Sequence, residues 1–122
     1  MTDLSTFRVT IGFTDEMATD DERETAALRL RKQLGDLELD NISRVPEVAP
    51  DGSKELGFLT GFLMTKLNTG NAKKLFEFLS DRLSGKTIEL EVEGNGEKLK
   101  VKASSREELQ LAIAEAEKFI QD

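Results

Sequence analysis

The sequence predicts an α+β fold in the order β-α-β-α-α-β-β-α, a four-stranded mixed sheet with helices mainly on one face. Three observations predict it. Phe7-Arg-Val-Thr-Ile-Gly-Phe13 alternates apolar with other residues at a period of two, as a strand with one buried face does. Residues 20–34 and 105–120 carry apolar side chains at helical spacing behind capping residues. Residues 87–103 read as a hairpin, two alternating runs joined across Asn95-Gly96. At 122 residues the chain is long enough for one core, so a single domain over 1–122 is expected, with 1–6 a flexible lead-in.

In the opening strand Phe7, Val9, Ile11 and Phe13 face one way, and Arg8 and Thr10 the other. Thr19 and Glu22 form a capping box for the first helix, and Asp20, Asp21, Glu22 and Glu24 suit its positive end. Ala27, Leu30 and Leu34 make its buried stripe, with Met17 as an extension, and Gly35 is the expected stop. Leu37 and Leu39 are plugs in a connector to a second short strand over 41–48. Pro46 cannot donate to a ladder and places that strand at an edge or a strand end. The right-handed crossover rule then makes the first two strands parallel. Residues 49–53 are a turn-rich loop.

Residues 55–67 and 72–84 read as two helices broken at Asn68-Thr-Gly-Asn71. Leu56, Phe58, Leu59, Phe62, Leu63, Met64 and Leu67 make the first of these apolar on more than one face. Gly57 and Gly61 share one face of that helix, a spacing that suits close helix–sheet packing, the alternative being dimerisation. Asn71 is the expected cap of the second helix, whose buried stripe is Leu75, Phe76, Leu79 and Leu83 before Ser84-Gly85.

A two-residue turn at Asn95-Gly96 pairs Val92 with Leu99, Leu90 with Val101 and Ile88 with Ala103 on one face. On the other face Glu93 meets Lys98, Glu91 meets Lys100 and Glu89 meets Lys102. A one-residue slip would lose all six pairings, so the register is strongly specified. Ser104 and Ser105, with Glu107 and Glu108, then give overlapping capping boxes for a helix burying Leu109, Ala112, Ile113, Ala116 and Ile120, flanked by Phe119.

Composition excludes several functions. A net charge of −7 and a pI near 4.7 repel phosphate backbones and anionic lipid, so nucleic acid and membrane surfaces are poor partners. There is no cysteine or histidine, which removes disulfides, thiolate chemistry and the commonest general base and metal ligand. The N-terminus has no long apolar core of a signal peptide, and no apolar run approaches the ~20 residues of a membrane helix. A cytoplasmic protein is expected.

Gly12-Phe-Thr-Asp-Glu follows a strand but lacks the glycine pattern and lysine of a phosphate loop. Asp36, Glu38 and Asp40 alternate like calcium ligands, yet Asn41 stands at the sixth position, where such a loop has its invariant glycine. No catalytic, metal or cofactor residue is therefore assigned, and the chain is expected not to be an enzyme. If helices cover one sheet face only, helix 55–67 holds more apolar surface than the chain can bury. Phe58, Phe62 and Met64 are then the candidate protein-binding residues, the alternative being that they are core. A second functional class is a small-ligand or peptide sensor with a pocket between the helix pair and the sheet.

Over about residues 7–103 the order and hydrophobic pattern resemble the effector-associated constant component proteins of bacteria. The resemblance lies in ALRLRKQL, ISRVPEV and a Pro/Gly loop, LGFLTGFL, NTGNAKKLFEFLSDRL and the closing hairpin VEGNGEKLKV. This chain differs in its acidic surface, its many lysines and the helix over 105–120. The resemblance implies a non-catalytic adaptor or scaffold of a bacterial defence or signalling system. Its implied partner is an effector, such as a caspase-like or trypsin-like protease or a signalling ATPase, with self-association left open.

Overall fold

The computed structural model describes residues 6–37, 39, 41–48 and 55–121. Its elements are β1 (Thr6–Phe13), α1 (Asp20–Asp36), β2 (Ile42–Val48), β3 (Glu55–Asn68), α2 (Thr69–Arg82), β4 (Ile88–Gly94), β5 (Glu97–Ala103) and α3 (Arg106–Gln121). The fold is α+β, but the sheet has five strands in the order β2-β3-β1-β4-β5, with every neighbouring pair antiparallel. The units β1-α1-β2 and β3-α2-β4 each return two places away, and each encloses a strand of the other. This is the interleaved split β-α-β topology of ferredoxin-like folds, extended here by β5 and α3. Such a scaffold serves many functions and identifies none.

The main correction concerns residues 55–67, which form the long strand β3 and not a helix. The physical reason is its place inside the sheet. An interior strand can be apolar on both faces and then shows no period of two. Its phase also changes within the element. Pairing with β2 jumps from Arg44↔Leu63 to Pro46↔Phe58, and Gly61 within the jump has φ +80. That left-handed backbone suits glycine, which has no Cβ to clash. The bulge scatters the apolar residues to spacings that imitate a helix.

The first two strands are parallel, as the crossover rule requires, but they are not neighbours in the sheet. β3 lies between them and pairs with both. A mixed four-stranded sheet thereby becomes an antiparallel five-stranded one.

Smaller differences follow from local hydrogen bonds. Asn68 caps α2, its Oδ1 accepting from the Asn71 amide at 2.8 Å, so Asn71 is the donor and not the cap. α1 runs through Gly35 to Asp36, and Met17 is 92% exposed instead of joining the stripe. The Thr19–Glu22 capping box forms as the sequence indicates, with bonds of 3.1 and 2.8 Å. At α3, Ser105 Oγ accepts from the Glu108 amide, while the Glu108 carboxylate reaches back to the Ser104 amide and then its hydroxyl. Those two bonds hold the Glu108 carboxyl below its usual range, the amide contributing most.

The core lies between one sheet face and the helices. Phe7, Val9 and Ile11 of β1, Leu63 and Leu67 of β3 and Ile88, Leu90 and Val92 of β4 pack beneath Leu30, Leu34, Leu75, Phe76, Leu79, Leu109 and Ile113. Each such side chain contributes roughly 1.5–3 kcal/mol through removal from water. Phe7 meets Phe119 of α3 edge to face, ring centroids 6.3 Å apart. Apart from Gly12, which Phe62 covers, residues of opposite parity on β1, β4 and β5 are not buried, so the helices leave the second sheet face open.

Candidate interaction surface

The open face forms a depression of about 670 Å³ with two chemically different sides. β2 and β3 supply Val45, Pro46, Leu59, Phe62 and Met64, while β1, β4 and β5 supply Arg8, Thr10, Glu89, Glu91, Glu93, Lys98 and Lys100. Each side follows from local sequence. The Glu/Lys alternation of the hairpin sends its charges outward once its apolar residues turn in. On β3 the bulge at Gly61 lets Leu59 and Phe62 line the same depression although their numbers differ in parity.

Phe62 lies opposite Gly12 of β1, and its ring fills the space above that glycine. A Cβ built at Gly12 would sit 2.1 Å from the Phe62 ring, so only glycine admits this seating. Phe62 and Met64 are both half-buried on this face. Phe58 pairs with Pro46 through the backbone, and its side chain lies outside the described residues. Thus the structure brings Phe62 and Met64 together and adds Leu59, which the sequence pattern places in a helix, and Val45 and Pro46, which it places in a short strand. The signal for these three is weak, since it needs the register across the bulge.

The bulge is pinned from the helix side. Glu24 of α1 faces Arg44 of β2 through two contacts, Arg44 Nη2 to Oε1 at 2.6 Å and Nη1 to Oε2 at 2.5 Å. The Gly61 amide donates to the same Oε1 at 3.0 Å. One carboxylate therefore joins α1, β2 and the turning point of β3. The Arg44 bond first, then the Gly61 amide, holds the Glu24 carboxyl below its ordinary value of 4.5. This cluster shapes the depression from behind and does not enter it.

The charged side is an ion-pair ladder offset along the strands. The hairpin register is the one the sequence specifies, from Ile88↔Ala103 to Glu93↔Lys98. Yet Lys98 meets Glu91 at 3.5 Å and Lys100 meets Glu89 at 3.2 Å, each diagonal to its direct partner. Lys102 also meets Glu89, at 3.9 Å, and Glu93 turns to Arg8 of β1 at 3.5 Å. Of the expected direct contacts only Glu89 with Lys102 is made as an ion pair; long side chains reach diagonal neighbours in a twisted sheet.

Among the described residues no group of three acids could hold a metal ion. Of the alternating acids, Asp36 ends α1, while Glu38 and Asp40 lie outside the described residues. Asp15 accepts from the Met17 amide, and Arg23 donates to the carbonyls of Asp15 and Ala18, so the turn after β1 is held by its own contacts. Among the described residues no helix is long and apolar enough to cross a membrane. No protein-family model, no curated protein and no solved structure matches the chain.

Proposed function

We propose that this chain is a non-catalytic adaptor or scaffold that docks a protein partner on the open face of its sheet. The observation that supports this most is the placement of Phe62 and Met64 beside Leu59, Val45 and Pro46 on the face away from the helices. An apolar cluster rimmed by paired charges is the usual composition of a protein-binding patch, with a dry centre and a polar rim. The resemblance to the effector-associated constant component proteins supplies the kind of partner. That partner is an effector of a bacterial defence or signalling system, such as a protease or a signalling ATPase.

The test is a tagged pull-down from the native cell with wild type and Met64→Glu, beside thermal melts of both. The expected result is that wild type recovers an effector protein, whereas Met64→Glu recovers at least about tenfold less while melting within a few degrees of wild type. Equal recovery by both removes the open face from the function. Collapse of Met64→Glu on melting makes Met64 a core residue and withdraws it from the interface.

A further inference from the structure

The two edges of the sheet are not alike. At one edge β2 contains Pro46, which has no amide hydrogen, and its pairing with β3 shifts twice. That edge offers an interrupted row of backbone groups. At the other edge β5 pairs with β4 without a break over Glu97–Ala103, and among the described residues no strand lies beyond it. The two-residue turn makes Gly94–Glu97 the closing hydrogen-bonded pair. By antiparallel alternation Leu99, Val101 and Ala103 then bond back to β4, and Lys98, Lys100 and Lys102 aim their N–H and C=O groups outward. Such a row is a template for one more strand.

The side chains along this edge state which strand fits. Toward the open face Lys98, Lys100 and Lys102 are 55%, 54% and 73% exposed, and among the described residues the three share Glu89 and Glu91 as carboxylate partners. Toward the helix face Val101 lines a shallow depression of about 240 Å³ with Leu111 and Ala112 of α3, and Leu111 is 69% exposed. A second copy of β5 is a poor occupant. Antiparallel pairing centred on Lys100 sets Lys100 against Lys100 and Lys98 against Lys102, and like charges directly opposite are destabilising.

We infer that the β5 edge accepts one extended strand of a partner protein in which acidic residues alternate with apolar ones. The acids lie across from Lys98, Lys100 and Lys102, and the apolar side chains cover Val101 and Leu111. β4 carries this pattern itself, Ile88-Glu-Leu-Glu-Val-Glu93, and already occupies the inner side of β5. The added strand is a second β4-like segment on the outer side. This goes beyond docking on the open face and does not depend on it.

The experiment uses the whole purified chain and a fluorescent N-acetylated peptide copying residues 87–94, with a second peptide carrying Lys for each Glu. Anisotropy titrations are run with wild type, Lys98→Glu/Lys100→Glu and Leu111→Ser, and amide shifts are followed by NMR. Wild type should prefer the acidic peptide by about tenfold, the summed effect of three cross-strand charge pairs. The double charge reversal should invert that preference, and Leu111→Ser should weaken binding without changing it. Amide shifts should centre on Lys98, Lys100 and Lys102. No binding up to millimolar peptide, no preference between peptides, or shifts centred on Phe62 and Met64 would each overturn the inference. Because Leu111 lies on the outer side of α3, its variant keeps the test readable if the charge reversal unfolds.

Discussion

The β4–β5 half of the sheet and the β2–β3 half solve the same problem with opposite means. In β4–β5 the ladder is regular, apolar residues face the helices, charges face out, and a two-residue turn with Asn95 at φ 54 and Gly96 at φ 76 sets the register. In β2–β3 the ladder shifts at Pro46, the strand turns at Gly61, and a carboxylate from α1 holds both strands in place. The first half is stabilised by many small, interchangeable contacts. The second depends on a few that have no substitute. It is also the half that carries the apolar cluster on the open face, so the irregularity and the candidate interface arise from the same bulge.

Truncation in the second half should have the largest effect. Leu63 is 1% exposed and sits where β3 crosses between β1 and β2. Leu63→Ala is expected to cost about 2–5 kcal/mol, read by urea denaturation. The same change at half-buried Leu99 of β5 should cost less than half as much. Equal losses at the two sites would erase the contrast between the halves.

The Glu24 cluster should come next. Glu24→Gln removes the charge from the bonds to Arg44 and Gly61 and should cost about 1–3 kcal/mol near neutral pH. Glu24 has a folded pKa below its ordinary 4.5. Its contribution is therefore fully present above the unfolded value and is lost as pH falls through the lower folded one. Denaturation midpoints from pH 7 down to pH 2 should thus converge for wild type and variant at the acid end. A gap that stays constant across that range would show that the carboxylate charge is not the stabilising feature.

The smallest effect should be a gain. Thr65 is 2% exposed, and its hydroxyl has no hydrogen-bond partner among the described residues. Thr65→Val keeps the shape and removes the unsatisfied oxygen, so it should stabilise by about 1 kcal/mol, a rise of several degrees in melting temperature. A loss instead would mean that a bound water or a partner satisfies Thr65.

What was legible in the sequence divides along the same line. The Glu/Lys and Ile/Leu/Val alternation of residues 88–103 names its own partner, because turn type and cross-strand pairing act within a few residues. The diagonal offset of the lysines was not legible, since it comes from the twist of the assembled sheet. Phe62 and Met64 stand out in the sequence as apolar surface beyond one buried stripe, but the spacing that suggests a helix belongs to a bulged strand. Two-sided apolar content reports burial on both sides and is silent about the backbone that provides it.

By itself the sequence determined the helix starts, where Thr19 with Glu22 and Ser105 with Glu108 satisfy free amides locally. It also determined the hairpin register and the inward face of β1. Only the tertiary structure decided that residues 55–68 are a strand, that β3 separates β1 from β2, and that Leu59, Phe62 and Met64 share a surface with Val45 and Pro46. Caps and turns are fixed by bonds between near neighbours. The state of β3 is fixed by bonds to strands about 20 and 55 residues away in sequence, and by a glutamate in α1 that holds its bend.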